Sequence, residues 1–240
     1  MEFRILGPLE VRDADHEVPL GGPRQRALLA ILLTHANEVV SRDRLIDELW
    51  GKEPPETAGN ILQGYISHLR KAVGQDAIVT RAPGYLVRLE PDRLDLHRFE
   101  RLVERARDAE PGEAAALLRE ALALWRGPAL ADFAYEPFAQ AEAARLEELR
   151  LAAIERRIEA DLALGRHADL VAELEALVAK HPLRERLRAQ LMQALYRSGR
   201  QAEALDAYQG ARRALVDELD RKSTRLNSSH IQKSRMPSSA

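Results

Sequence analysis

The stretch from Thr57 to Gln75 contains polar and basic side chains but no acidic one. Its apolar residues recur at helical spacing, which predicts an amphipathic helix ending near Val73. Amide side chains pair with adenine edges in a DNA major groove, and hydroxyl, imidazole and cationic groups bind guanine edges or phosphates. The pattern therefore predicts a helix whose polar side binds DNA. The candidate contacts are Asn60, Gln63, Gly64, Ser67, His68, Arg70 and Lys71.

Two β-rich runs follow this helix around a Pro83-Gly84 turn, which predicts a hairpin. Arg81 lies close to its tip, where it is either a contact to a minor groove or phosphate or an ordinary polar turn residue. The formal net charge of the chain is only −2. Basic residues therefore concentrate locally, because the window from Thr57 to Leu89 holds four of them against the single acid Asp76.

The residues before the polar helix predict the elements that position it. The first 20 or so residues resemble short strands, and a mostly apolar helix begins at Pro23. A second helix begins after Ser41, a good N-cap, and ends at Gly51. Arg42 and Arg44 lie at its start, where they are candidate phosphate contacts. Strands, three helices and a basic hairpin in this order predict a winged helix-turn-helix.

The composition changes near Asp95 to alanine, leucine, glutamate and arginine with helical periodicity. Gly165-Arg166 recurs as Gly199-Arg200, a period of 34 residues that is typical of tetratricopeptide repeats. The fold class predicted is thus two domains, an α+β winged helix-turn-helix and an all-α tetratricopeptide-like repeat domain. Their predicted limits are 1–92 and 93–220. Tyr196 and Tyr208 are expected to pack inside the repeats.

The last residues, 221–240, are rich in serine, lysine and arginine and have no apolar period. We expect them to be disordered and non-native. The N-terminus lacks the features of a signal peptide, and no apolar run is long enough to span a membrane. These observations predict a cytoplasmic protein without a membrane partner.

No motif in the sequence indicates an enzyme. The chain has no cysteine, no glycine-rich phosphate loop and no His-Glu-x-x-His pair, and its seven histidines are scattered. We therefore predict no catalytic residue, no cofactor and no metal site. Trp50, Tyr65, Tyr85 and Trp125 are expected to pack between elements rather than to stack on a ligand.

Several spaced segments together resemble the Streptomyces antibiotic regulatory protein family, in which an OmpR-type winged helix precedes a bacterial transcriptional activator domain. The resemblance covers about residues 2 to 219. The segments that carry it are Gly21-Gly-Pro-Arg-Gln-Arg-Ala-Leu-Leu-Ala-Ile-Leu, Ser41-Arg-Asp-Arg-Leu-Ile-Asp-Glu-Leu-Trp-Gly, Ala58-Gly-Asn-Ile-Leu-Gln-Gly-Tyr-Ile-Ser-His-Leu-Arg-Lys, Pro83-Gly-Tyr, Leu94-Asp-Leu-His-Arg-Phe-Glu-Arg-Leu and Leu124-Trp-Arg-Gly-Pro-Ala-Leu.

The resemblance implies a transcriptional activator that binds repeats in double-stranded promoter DNA, usually as a homodimer, and contacts RNA polymerase through the activator domain. Gly64 stands where the family commonly has valine, and His68 where it commonly has arginine. These two departures affect base preference and phosphate affinity.

Two other interpretations remain. In the first, the acid-free side of the helix is an ordinary solvated surface. In the second, the winged helix has become a protein-interaction module in a repeat-based adaptor that lacks specific DNA binding.

Overall fold

The computed structural model describes residues 1–210 and 212–213. Contacts divide the chain into two compact units, Met1–Ile154 and Glu155–Ala240. The first unit contains the sheets and helices of a winged helix-turn-helix, and every described element from Asp95 onward is helical. The predicted fold class, a winged helix-turn-helix followed by an all-α domain, is therefore confirmed, whereas the tetratricopeptide-like repeat and the domain limits stay predictions. The tail at 221–240, which we expect to be disordered, lies outside the described residues.

A small antiparallel sheet opens the first unit and is followed by a buried helix. Its strands are β1 (Glu2–Arg4), β2 (Glu10–Asp13) and β3 (His16–Glu17). Helix α1 (Pro23–Thr34) follows, and the backbone N–H before it, on Gly22, donates to the Gln25 side chain at 2.7 Å. Every residue of α1 from position 27 to 33 is buried. The helix is therefore central to the core of this unit.

Two further helices pack on α1. Helix α2 (Arg42–Trp50) begins at Ser41, whose hydroxyl accepts a hydrogen bond from the Arg44 N–H at 3.2 Å. This confirms the predicted N-cap. Helix α3 (Ala58–Val73) begins directly after Thr57, within a residue or two of the predicted start. Its buried residues are those of the predicted apolar stripe, namely Ala58, Leu62, Ile66, Leu69 and Val73.

The predicted hairpin forms the wing beside α3. Strands β4 (Val40–Ser41), β5 (Ile78–Arg81) and β6 (Gly84–Val87) form an antiparallel sheet in the order β4-β6-β5. Position 84 requires glycine, because a Cβ there would lie 1.8 Å from the carbonyl oxygen of Val40. The close approach of β4 and β6 thus depends on this residue.

Arg70 connects α3 to the wing. Its Nε donates to the carbonyl oxygen of Ile78 at 2.8 Å, and its Nη2 donates to Thr80 Oγ1 at 2.8 Å. Both acceptors lie on β5. Since a guanidinium group holds its donors in a fixed plane, the two bonds set the angle between α3 and the wing.

The remaining helices of the first unit are α4 (Asp95–Arg105), α5 (Pro111–Ala123) and the beginning of α6 (Pro137–Ala163). Asp95 joins α4 to the residues after β1. Its carboxylate accepts hydrogen bonds from the N–H groups of Ile5, Leu6 and Leu96 at 2.8 to 3.0 Å. Burial raises the pKa of this carboxyl, while the N–H donors and the nearby Arg126 oppose that rise.

The second unit continues α6 with α7 (His167–Lys180), α8 (Glu185–Arg197) and a helical stretch at 201–210. Gly165 and Gly199 end α6 and α8 with φ of 80° and 79°. Equal conformations at these two positions agree with the 34-residue period, although a tetratricopeptide fold stays a prediction. Tyr196 and Tyr208 are 60% and 52% exposed, so the expectation that both pack inside the repeats is wrong.

None of the described helices is both long enough and apolar enough to cross a membrane.

Replacing Asp95 by asparagine should lower the free energy of unfolding by about 1–3 kcal/mol. A carboxylate accepts hydrogen bonds through two oxygens, whereas an asparagine amide has only one acceptor oxygen. The NH₂ group of the asparagine must therefore face a backbone N–H that donates to a carboxylate oxygen in the parent chain. Urea unfolding followed by circular dichroism measures the change. Asp108→Asn is the matched control because Asp108 is exposed. Equal stability of the two variants would show that the three hydrogen bonds contribute little.

Arg70→Ala should also destabilise the chain, by about 1–2 kcal/mol, because it removes both hydrogen bonds to the wing. The neighbouring Lys71→Ala should change stability by less than about 0.5 kcal/mol, since Lys71 is exposed. Thermal unfolding of the two variants in parallel tests this difference. A Lys71→Ala variant as unstable as Arg70→Ala would contradict the assigned role of Arg70.

Candidate nucleic-acid interface

The outward side of α3 is a continuous polar surface. All the predicted contact positions of α3 are exposed except Arg70, which is half-buried. Within the described part of the chain, no hydrogen bond or ion pair occupies the side chains of Asn60, Gln63 or Ser67. Their donors and acceptors therefore remain available to a ligand.

The geometry of α3 places small residues at the middle of this surface. Asn60, Gly64, Ser67 and Lys71 each precede a buried residue of the apolar stripe by two positions, so they lie nearly opposite it on the helix. We call these four residues the outer ridge. Gly64 and Ser67 leave its centre low, while an amide and an ammonium group lie towards its two ends. A flat partner can therefore approach the helix axis closely at the centre.

Gly64 takes no part in the packing of the residues that the structure describes. A Cβ added there meets nothing within 4 Å, and the backbone has no positive φ. A glycine inside a helix costs about 0.5–1 kcal/mol relative to alanine. The fold alone thus gives no reason for this residue.

His68 lies on the edge of the polar surface, next to the start of α1. A Cβ built on Gly21 would lie 2.8 Å from His68 Nε2, so the imidazole is close to the residues that precede α1. The structure thus brings His68 together with the N-terminus of α1, which carries partial positive charge.

Three of the predicted basic contacts lie on or near the wing. Arg81 is exposed at the end of β5. The Arg42 guanidinium lies 5.6 Å from the Tyr85 ring centroid, so it rests against β6. Arg70 uses its donors within the protein, as described above. Its predicted DNA contact, like the other predicted contacts, stays a prediction.

Arg44 differs from Arg42 because its charge is partly compensated. Its Nε donates to Glu48 at 2.7 Å, and its Nη2 lies 2.8 Å from His35 Nε2. Both arginines nevertheless lie in the first turn of α2, where backbone N–H groups also point towards a possible phosphate.

Aromatic contacts that no sequence spacing shows hold the three helices together. The rings of Trp50 and Tyr65 stack with centroids 6.3 Å apart, which confirms that both residues pack between elements. Arg24 lies 5.3 Å from the Trp50 ring and donates to the carbonyl oxygen of Leu49 at 2.6 Å. The guanidinium of Arg24 therefore binds α2.

Helix α3 itself contains no acidic residue. The acids nearest in sequence to α3 are Glu56 and Asp76, which flank the acid-free stretch at its two ends.

Across residues 1–210 and 212–213 no group of three or more histidine, aspartate or glutamate side chains is arranged to hold a metal ion.

Two protein families match the chain. The family described as "Transcriptional regulatory protein, C terminal" matches residues 15–87. The family described as "Bacterial transcriptional activator domain" matches residues 94–230. The first match contains α1 to α3 and the wing, and the second begins just before α4.

Curated relatives match this chain along both parts. The regulatory protein DnrI of Streptomyces peucetius is 42% identical over 91% of this chain and 86% of DnrI. The regulatory protein AfsR of Streptomyces griseus is 44% identical over 91% of this chain, which spans only 23% of AfsR.

A solved structure shares the fold. It is the structure titled "Mycobacterium tuberculosis EmbR in complex with low affinity phosphopeptide", which has a TM-score of 0.86 and 37% sequence identity to this chain. The match covers 91% of this chain and 60% of EmbR. From the family matches and from DnrI, AfsR and EmbR we conclude that the chain belongs to the Streptomyces antibiotic regulatory protein family.

Proposed function

We propose that the chain is a sequence-specific DNA-binding transcriptional activator that inserts α3 into the major groove of promoter DNA. The observation that carries this proposal is the exposed, acid-free side of α3, on which Asn60, Gln63 and Ser67 have no partner in the described part of the protein. The naming of DnrI and AfsR as regulatory proteins supports it.

The side chains divide into two roles. Asn60 and Gln63 carry the amide groups that pair with adenine edges, so we assign them to base reading. Lys71 carries a mobile point charge at the far end of the outer ridge, and Arg42 and Arg81 lie on or beside the wing. We assign these three cations to phosphates, which fix the position of the protein on the duplex.

The helical domain provides the contacts to other proteins in this proposal. We assign DNA binding to residues 1–92, and engagement of RNA polymerase, of a second protomer or of both to residues 93–220. A homodimer on repeated half-sites would double the number of phosphate contacts. The protein would then act in the bacterial cytoplasm, where the promoter is.

Selection of bound duplexes from a random pool, followed by salt titration on the selected sequence, tests the proposed function. If each protomer contacts three or more phosphates, the slope of log affinity against log salt should be about −3 or steeper. A flat slope with no enriched duplex would refute DNA recognition and favour the adaptor.

Variants of α3 test the two roles. Lys71→Ala should weaken binding to all duplexes similarly and reduce the salt slope by about 1. Asn60→Ala and Gln63→Ala should each change the preference at particular base pairs by about 1–3 kcal/mol. Binding of each variant to a panel of single-base substitutions measures the effect. Equal losses on every duplex for all three variants would contradict the assignment.

Gly64→Ala should stabilise the free protein and weaken its complex with DNA. The added methyl group raises helix propensity by about 0.5–1 kcal/mol. It also raises the low centre of the outer ridge, so we expect an affinity loss of about fivefold or more for the selected duplex. Thermal unfolding and fluorescence anisotropy measure the two effects.

Gly59→Ala is the matched control for Gly64→Ala. Gly59 is an exposed glycine of the same helix with open space for a Cβ, but it lies off the outer ridge. Its variant should keep the affinity of the parent. Unchanged DNA affinity in Gly64→Ala would show that the helix does not approach the bases closely at this point.

A further inference from the structure

The middle of the outer ridge contains no cationic side chain. Between Asn60 and Ser67 the sequence has neither arginine nor lysine. Guanine is most often read in the major groove by the paired donors of an arginine, or by a lysine, which bind its O6 and N7 atoms. The central part of α3 therefore offers a guanine edge neither of these groups.

The basic residues that follow are directed elsewhere or lie near the end of the helix. Arg70 uses Nε and Nη2, one edge of its guanidinium group, for hydrogen bonds to β5 of the wing. His68 lies at the edge of the surface, next to the residues that precede α1. Lys71 is seven residues beyond Gly64, which is about 10 Å along the helix axis. Since base pairs are about 3.4 Å apart, Lys71 is about three base pairs away from the pair that faces Gly64.

Two amide side chains lie in the central part of α3. Asn60 and Gln63 are exposed and have no hydrogen bond or ion pair in the described part of the chain. A carboxamide matches adenine, because its oxygen accepts from N6 and its NH₂ group donates to N7. Three residues of helix advance about 4.5 Å, so the two amides can reach neighbouring base pairs. The available groups thus favour A·T pairs.

Gly64 restricts which base edge can lie against the helix. Its N–H and C=O belong to the interior of α3, where backbone groups bond within the helix. A polar base edge placed there would lose its hydrogen bonds to water without replacement, which is unfavourable. The 5-methyl group of thymine is the apolar group on the major-groove edges of the base pairs. The space that a Cβ at position 64 would take is open, so this methyl group can occupy it.

We propose that α3 reads a core of A·T pairs, in which a thymine 5-methyl group lies against the Cα of Gly64. This inference rests on the proposed DNA recognition and adds which base pairs it selects. Asn60 and Gln63 then bind adenine edges beside that thymine. The stretch from Asn60 to Ser67 extends about 10 Å, so the core covers about three base-pair steps.

Selection of duplexes from a random pool with the full chain tests the composition of this core. We expect A·T pairs at about three consecutive positions of the enriched sequence. An enriched sequence without such a run would overturn this inference, although DNA recognition itself would stand. A pool without any enriched duplex would refute the proposed function and this inference with it.

The thymine methyl group is tested by base substitution in the selected duplex. Each thymine is replaced in turn by deoxyuridine, which keeps base pairing but lacks the 5-methyl group. One replacement should reduce the affinity of the parent chain about fourfold, the effect of one buried methyl group. Fluorescence anisotropy measures the affinities. A scan without a sensitive thymine would overturn the proposal.

Gly64→Ala shows whether the sensitive methyl group lies against residue 64. The alanine methyl group and the thymine methyl group compete for the same space, so this variant should bind the thymine duplex at least about fivefold more weakly than the parent chain. With deoxyuridine at the sensitive position, its affinity should be within about twofold of that of the parent chain on the same duplex. Equal losses of Gly64→Ala on the two duplexes would overturn the proposal.

Gly59→Ala is again the matched control, because it adds the same methyl group to an exposed position off the outer ridge. It should lose about fourfold in affinity on the deoxyuridine duplex, as the parent chain does. Alanine favours the helix at both positions, so both variants remain folded. A Gly59→Ala variant that behaves like Gly64→Ala would contradict the placement of the methyl group.

Discussion

The apolar contact between α3 and the buried helix α1 is the constraint on which the polar surface of α3 and the wing depends. Leu62, Ile66 and Leu69 are at most 1% exposed. Full burial of each such side chain contributes about 1.5–3 kcal/mol, so a roll of α3 about its axis would cost several kcal/mol. The outer ridge lies opposite these residues and must face away from the core. Arg70 then ties the wing to α3, so the helix and the hairpin present one surface.

A second connection extends this rigid arrangement beyond the winged helix. Asp95 begins the first helix of the predicted second domain, but its carboxylate is held by the N–H groups of Ile5 and Leu6. The loop after α5 continues the contact, because the N–H of Arg126 donates to the carbonyl oxygen of Leu6 at 2.8 Å. The composition of the chain changes near Asp95, whereas its contacts divide after Ile154. The first activator helices are therefore part of the compact unit that carries α3.

Periodicity made the helices and the exposed side of α3 predictable, because burial of an amphipathic helix depends mainly on local spacing. Partners that are distant in sequence were not predictable. The hydrogen bonds from Arg70 to Ile78 and Thr80 are an example, because nothing local in the sequence indicates them. The exposure of Tyr196 was also missed, because an aromatic residue at a repeat position is buried only where a neighbouring helix covers it.

Some glycines and buried polar groups of the chain are required by the fold, whereas others have no explanation in it. Gly84 allows two strands to approach, and Gly165 adopts a positive φ, so the fold accounts for both. Asp95 is buried, but three N–H groups satisfy it. Gly64 differs, because its cost to stability is not offset within the described protein. In the proposed function, this cost is offset when a base-pair surface approaches the outer ridge closely.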